Sequence, residues 1–382
     1  MDKNHLIFDF QSSTPCSAKV VEEMAPYWNQ FWGNPSNKNN RSGFFASAAV
    51  EVSREKIASY LKINPKRLIF TSGATEANNL GLFGHARAKA KLIGKPGHII
   101  TVSTEHHAVL DPLRHLQKEG FRLSELRPNK DGLINIEQLS EAVEKDTFMI
   151  SVMAANNEIG VLQPISQIGT FCRRKGIAFH TDAAQALGYL DLDPDRLFID
   201  LMSLSAHKIY GPKGIGALVT REGFPLEPCQ YGGSQELGLR SGTLPVPLIV
   251  GFAKAVEITK NDQDERNARL LFLRNLLLKG LKKNIAGLKV NGSIEQRLPH
   301  NLNITFPGVK GSELHGQLRR FVYCTSGSAC SNGKASHVLQ ELGLLKKDAE
   351  ASIRMSIGRN TTEEEIKKVI EIISNILIDL RG

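Results

Sequence analysis

Short apolar runs alternate with longer amphipathic stretches through the first two-thirds of this chain. That alternation restricts the fold more than any other feature of the sequence. The runs at 68–71, 98–102, 148–152, 177–180, 199–204 and 215–219 are rich in β-branched residues and nearly free of charge. Strands of this composition are covered on both faces, because a half-exposed strand would alternate apolar with polar. Between the runs, apolar residues recur at helical spacing, as in Ala46, Ala49, Val50, Ile57, Tyr60 and Leu61. Strand and helix in turn predict an α/β layered sheet.

After about residue 255 the pattern changes. Leu270, Leu273, Leu277 and Leu281 form one helical stripe, a strand-like piece follows at 302–306, and Thr362-Glu363-Glu364-Glu365 reads as a capping box opening a last helix. The expected division is a large domain over 15–255 and a smaller α+β domain built from 1–14 with 256–382.

The formal net charge is +9, but the basic residues form no block interleaved with aromatics. Direct nucleic-acid binding is therefore not expected, and an acidic protein partner or a plainly solvated surface is. No apolar run reaches membrane-spanning length, and the polar start Met1-Asp2-Lys3-Asn4-His5 lacks a signal-peptide pattern. Five cysteines, an odd number without a CxxC pair, argue against a disulfide framework or a metal site and for a reducing, cytoplasmic compartment.

Polar residues at the ends of the apolar runs are the candidates for chemistry. Lys208 follows the run 199–204 in Ser205-Ala206-His207-Lys208. Desolvation at a strand end favours the neutral amine that Schiff-base chemistry needs, although any single lysine is more simply a solvated charge. Asp182 ends the run that begins at 177; a buried carboxylate there needs a partner, either a cationic heterocycle or a neighbouring loop. Gln185 lies one turn further on. Thr75, in the stretch 71–78, stands where a helix amino end would cradle a phosphate or simply be capped. His106 follows the run 98–102 and is placed to stack on a flat ring and move protons, or to be structural. Asn157 follows another strand. With Lys208 set aside, Thr75, Asp182, His106 and Asn157 are four polar groups after four strands, which is what a ligand at the carboxyl edge of a sheet requires. Cys330 sits in the Ser/Gly-rich stretch 325–333, an exposed setting that makes it a candidate nucleophile, whereas Cys324 reads as structural. Arg354 is suited to clamp a carboxylate or to form a structural ion pair.

Taken in order, these motifs resemble the cysteine desulfurases, class-V members of the fold-type I pyridoxal-phosphate enzymes. The resemblance spans the chain through Gly33-Asn34-Pro35-Ser36, 71–76, 104–110, 156–160, 182–185, 205–211, Arg240-Ser241-Gly242-Thr243, 326–330 and 352–354. It implies a mainly parallel seven-stranded sheet sandwiched by helices, plus a smaller α+β domain. It implies pyridoxal 5'-phosphate bound covalently by Lys208, with Ala74, Thr75, Ser205 and His207 on the phosphate and Thr243 reaching in from a partner subunit of a homodimer. His106 then stacks on the ring, Asp182 pairs its nitrogen, Gln185 meets its phenolic oxygen, and Asn157 contacts cofactor and substrate. Asn34 and Arg354 join Asn157 in holding L-cysteine. Cys330 receives the sulfur as a persulfide, L-alanine leaves, and the sulfur passes to an acceptor protein in iron–sulfur assembly or another thiolation pathway.

Three departures stand out. Gln11-Ser12-Ser13 replaces a small Asn/Ser-Ala pair bordering the substrate pocket, Asn37-Lys38-Asn39-Asn40 lacks a histidine common in the family, and Arg381-Gly382 follows the last helix without the longer tail of housekeeping members. A selenocysteine lyase, another class-V enzyme such as a small-amino-acid aminotransferase, and a non-catalytic relative are the competing readings. Cys330 speaks against the first two, and the intact set Lys208, Asp182, His106 and Cys330 against the last.

Overall fold

The computed structural model of the chain describes residues 5–326 and 335–382. In chain order its strands are β1 (Leu6–Ile7), β2 (Leu68–Thr71), β3 (His98–Val102), β4 (Arg122–Leu126), β5 (Thr147–Ser151), β6 (Ala178–Asp182), β7 (Leu201–Ser205), β8 (Gly216–Thr220), β9 (Lys289–Val290), β10 (Asn301–Thr305), β11 (Val322–Tyr323) and β12 (Ser352–Ser356). Seven of them form one sheet in the order β2-β8-β7-β6-β5-β3-β4. β8 runs antiparallel to both neighbours, and every other pairing is parallel. Consequently β2, β3, β5, β6 and β7 all end at the same edge, where the next residues of each can meet.

The apolar runs became the central strands, buried along their whole length in β2, β3, β5 and β7. β4 is the exception. Its sequence Arg-Leu-Ser-Glu-Leu is polar and partly exposed because it is an edge strand, paired only with β3. One close approach sets the geometry at the carboxyl edge: a Cβ on Gly216 would lie 2.3 Å from the Leu204 carbonyl oxygen and 2.7 Å from Gly73 Cα. Only glycine lets β8 lie this near the turn that follows β2.

Two large apolar cores result. The first joins Val20, Val50, Phe70, Ile100, Ile150, Phe179, Leu204 and Val256. The second joins Leu6 and Phe8 to Leu270, Leu273, Leu277, Leu281, Ile304, Ile353 and Ile370. The N-terminal segment reaches this second core through β1, which pairs with β11, and through a bridge between Asp9 and Ser356. The helix Val246–Asn284, 39 residues and about 58 Å long, contributes Ile249 to Val256 to one core and the leucine stripe to the other. Each stripe leucine is essentially buried, worth about 1.5–3 kcal/mol of transfer free energy apiece. The last helix, Glu363–Arg381, opens on the expected capping box of Thr362 and Glu365. Among the described residues no helix is long and apolar enough to cross a membrane.

Candidate active site

Five loops leaving the carboxyl edge of the sheet wall a cavity of about 450 Å3. β2 is followed by Gly73 to Glu76, β3 by His106, and β5 by Asn157; β6 ends on Asp182 with Gln185 one turn on, and β7 ends on Ser205 with His207 and Lys208 following. Gln11, Ser12 and Ser13 from the N-terminal segment and Arg354 from β12 close the other side.

Asp182 is nearly buried. Its Oδ1 accepts from the Ala184 amide at 2.9 Å, and its Oδ2 accepts from Asn78 Nδ2 at 2.7 Å. Both bonds hold the carboxylate in one orientation. His106 caps the helix His107–Lys118, its Nδ1 accepting from the Ala108 amide at 3.0 Å. A neutral ring with an acceptor at Nδ1 carries its proton on Nε2. Burial pushes the His106 pKa down, and the Asp182 carboxylate only partly opposes this. The residue is therefore a neutral imidazole offering an Nε2–H.

Lys208 ends the single helical turn Ala206–Lys208, and its Nζ donates to the main-chain carbonyls of Gln11 at 2.7 Å and Ser12 at 2.8 Å. Gln185 Nε2 donates to the same Gln11 carbonyl at 3.1 Å. Thr14 fastens this arrangement: its hydroxyl donates to the His207 carbonyl at 2.9 Å and accepts from the Tyr210 amide at 2.8 Å. Tyr210 has a φ of 64°, a costly conformation for a non-glycine residue that the Thr14 clamp helps hold. His207 Nδ1 is 3.1 Å from Ser13 Oγ, and burial, reinforced by Lys208 and Lys213, pushes its pKa down to about 4. It too is neutral near pH 7.

The helix Ala74–Ile93 begins at the cavity wall, so its free amides and its dipole face an anion site. Glu76, in that first turn, would repel an anion on its own. Its carboxylate instead accepts from the Ser72 amide at 2.6 Å and pairs with Arg240 Nε at 2.8 Å. Lys213 adds a cation to the wall.

Arg354 is 2% exposed. It donates through Nη1 to the Asn157 carbonyl at 2.7 Å and through Nη2 to Asp9 Oδ1 at 2.8 Å and Ser12 Oγ at 2.5 Å. Three of its five N–H donors are thus engaged with the protein. Its Nε–H is not, and neither is the buried side-chain oxygen of Asn157. Buried polar atoms without partners are costly, and these two belong to cavity-lining residues.

Ala74, Thr75, His106, Asn157, Asp182, Gln185, Ser205, His207, Lys208 and Arg354, nominated from sequence, all line this one cavity. Asn34 and Thr243 do not; both are exposed, and the Asn34 side chain accepts from the Ser36 amide. Cys330 lies outside the described residues. Cys324 fits its structural reading, since burial pushes its thiol up to about 12. Two contributors, Asn78 and Lys213, escaped the sequence reading, as did the role of Gln11, whose segment was expected only to border the substrate pocket. Asn78 stands one helical turn after Thr75, a spacing that could have flagged it. Gln11 acts mainly through its carbonyl, which no residue type announces. Lys213, five positions beyond Lys208, carries no separate signal in the sequence.

Residues 6–369 match the model of the aminotransferase class-V family. Cysteine desulfurase IscS of Dechloromonas aromatica (strain RCB) is 45% identical over 380 residues, 98% of this chain and 93% of that protein. The solved structure of a NifS-like protein is 35% identical with a TM-score of 0.90, covering 98% of this chain and 100% of that one. That of SspA in complex with cysteine is 36% identical with a TM-score of 0.81, covering 94% and 100%. A whole-length match of this depth, on a fold whose strand ends converge on the nominated residues, places the chain in the class-V aminotransferase family and, within it, among the cysteine desulfurases.

Proposed function

We propose that the chain uses pyridoxal 5'-phosphate held in the 450 Å3 cavity to take sulfur from L-cysteine, and that Cys330 receives it. The observation that carries this reading is the convergence on one cavity of a lysine amine, an oriented aspartate, a neutral imidazole and the amino end of a 20-residue helix. The residues fit the cofactor. Ala74, Thr75, Ser205 and His207 would hold its phosphate, Asp182 its ring nitrogen, Gln185 its phenolic oxygen, His106 its face and Lys208 its aldehyde carbon. When bound, the cofactor supplies an electron sink for charge developing at the substrate's α-carbon.

The chain's own groups do the rest. Asp182, fixed by Asn78 and Ala184, would set its carboxylate against the ring nitrogen. Lys208 Nζ takes the α-proton, its carbonyl partners at Gln11 and Ser12 giving an ammonium a place to rest. Arg354 and Asn157 hold the substrate carboxylate, the unpartnered Nε–H of Arg354 being one donor for it. Cys330, as thiolate, attacks the substrate sulfur. A sulfur–sulfur bond forms, the Cβ–S bond breaks, and its electron pair returns to the carbon skeleton, which gains protons and leaves as L-alanine. L-cysteine is supported as the substrate by the cysteine-bound relative SspA. The persulfide then passes to an acceptor protein, in iron–sulfur assembly or another thiolation route. The active unit is a homodimer of the cytoplasm that brings Thr243 to the neighbouring cavity.

Sulfur-labelled cysteine tests the assignment. The cofactor-loaded chain should release alanine and carry label on Cys330. Cys330→Ser should lose the label, and Lys208→Ala should lose the covalent cofactor's absorption band. Normal sulfur transfer by Cys330→Ser would overturn the nucleophile, and an unchanged band in Lys208→Ala would overturn the lysine.

A further inference from the structure

Glu158 is a buried carboxylate that the chemistry above does not use. Its Oε2 accepts from the hydroxyl of Ser336, itself buried, and its Oε1 has no partner. Ser336 is the N-cap of the short helix His337–Glu341, its Oγ accepting from the Leu339 amide at 3.1 Å. A cap needs only that acceptance. The added bond to a buried carboxylate costs desolvation that capping does not require.

Glu158 is itself rigidly held. Its amide donates to Asn156 Oδ1 at 2.8 Å, and its carbonyl accepts from Asn301 Nδ2 at 3.1 Å and Asn303 Nδ2 at 3.2 Å. It follows directly on Asn157 of the cavity wall. One residue beyond Ser336, His337 Nε2 lies 3.1 Å from the carbonyl of Glu105, the neighbour of His106. On the other flank, Thr325 and Arg354 exchange main-chain bonds of 2.7 and 3.3 Å. Thr325 precedes Cys330 by five positions and Ser336 follows it by six. The described residues flanking Cys330 are therefore tied to the immediate neighbours of Asn157 and His106 and to Arg354 itself.

We propose that Ser336 and Glu158 are positioning residues for sulfur abstraction. Resting on the reading that Cys330 receives the sulfur, the inference is that their bond sets the approach of Cys330 to the substrate sulfur without contacting substrate or cofactor. The Glu158 carboxylate, anchored beside Asn157, accepts the Ser336 hydroxyl and so fixes the chain at Ser336, six positions beyond Cys330, relative to the cavity. The step it serves is the exchange already balanced above, in which the Cys330 thiolate displaces the alanine skeleton from sulfur.

The test compares Ser336→Ala, Ser336→Thr and Glu158→Gln in the full cofactor-loaded chain, using sulfur-labelled L-cysteine. Two rates are read in a single turnover: the absorbance change of the bound cofactor on adding cysteine, and the appearance of label on Cys330. Ser336→Ala should leave the absorbance change and KM within about twofold while label transfer slows roughly tenfold to a hundredfold, the scale of a misplaced reacting group. Ser336→Thr, which keeps the hydroxyl, should recover most of the rate, and Glu158→Gln should fall between. Label transfer at the normal rate in both Ser336→Ala and Glu158→Gln would overturn the proposal. So would equal slowing of the absorbance change and the transfer, the mark of a merely structural role. If the unaltered chain releases alanine without labelling Cys330, it is the nucleophile assignment that fails.

Discussion

At the scale of single residues, the site depends on charges kept where they cost most. Asp182 is stabilised by two hydrogen bonds yet remains on the cavity wall, which suits a carboxylate that waits for a cationic partner. Asp182→Asn would keep the size and lose the charge. A charge-assisted hydrogen bond is worth about 1.5–3 kcal/mol, so cofactor affinity should weaken roughly tenfold to a hundredfold, measured by titrating cofactor into the stripped chain and following absorbance. The same substitution removes the group that raises the His106 pKa, so any pH midpoint belonging to that ring should move to lower pH. Lys208, Asp182, His106 and Asn157 were legible in the sequence because each is a polar residue immediately beyond an apolar run. The supports were not. Asn78 meets Asp182 across 104 positions, and Gln11 Oε1 accepts from Asn301 Nδ2 across 290, distances over which sequence pattern carries no contact information. The substitution at 11–13 is likewise intelligible only in three dimensions: Gln11 is buried and bonded at both ends of its amide, so its carbonyl faces Lys208 from a fixed loop.

At the scale of elements, the central strands were legible to within a residue or two because burial on both faces demands an unbroken apolar run. β4 was missed for the converse reason, since an edge strand can afford Arg122, Ser124 and Glu125. Inside the sheet, His180 of β6 crosses the apolar pattern. Its Nδ1 lies 2.8 Å from Ser151 Oγ of β5, and its Nε2 lies 3.4 Å from Ser203 Oγ of β7, so one ring bridges three strands. Burial pushes its pKa down to about 3, and the ring stays neutral in the fold. The unfolded chain takes up a proton at this residue below about pH 6.5 while the folded chain does not. Its contribution to stability is therefore complete above pH 6.5 and is lost as pH falls from there toward 3. Between pH 7.5 and 5.5 one such histidine costs about 1.4 kcal/mol. His180→Leu should accordingly show a pH loss over that interval smaller than the parent's by about this amount, in urea unfolding at the two pH values. The variant's baseline stability should also fall, because Ser151 and Ser203 lose their partner.

At the scale of the whole molecule, the two nominated residues that miss the cavity point outward from one region. Asn34 lies in the segment 33–37, and Thr243 ends the segment 230–243, whose Gln235 Nε2 is 3.5 Å from Ser36 Oγ. That second segment is built to present itself. Glu236 pairs with Arg54 through both oxygens at 2.6 and 3.0 Å and accepts from the Phe70 amide at 2.6 Å, while Tyr231 and Leu237 stand 80% and 73% exposed. Beside the segment 33–37, Trp28, Phe31, Trp32, Phe44 and Phe45 are exposed, with Phe31 and Phe45 rings 6.2 Å apart and Phe44 and Phe45 also 6.2 Å apart. Exposed aromatic clusters of this size mark interfaces, where each ring buries on the order of 150–250 Å2. In the homodimer proposed above, a second copy would cover this face about a two-fold axis and carry Thr243 to the neighbouring cavity. Trp32→Glu combined with Phe44→Glu places two charges on that aromatic face and should shift the chain from dimer to monomer in sedimentation equilibrium. The monomer should retain its secondary structure and bind the cofactor at least tenfold more weakly, because a phosphate donor is then missing, at about 1.5 kcal/mol or more for a bond to a charged group. Thr243→Ala should weaken cofactor binding to a similar degree while the chain remains dimeric, which separates loss of the donor from loss of the interface. A double variant that stays dimeric, or a monomer that holds the cofactor as tightly as the parent, would show that this aromatic face serves another purpose and that each cavity is complete within its own chain.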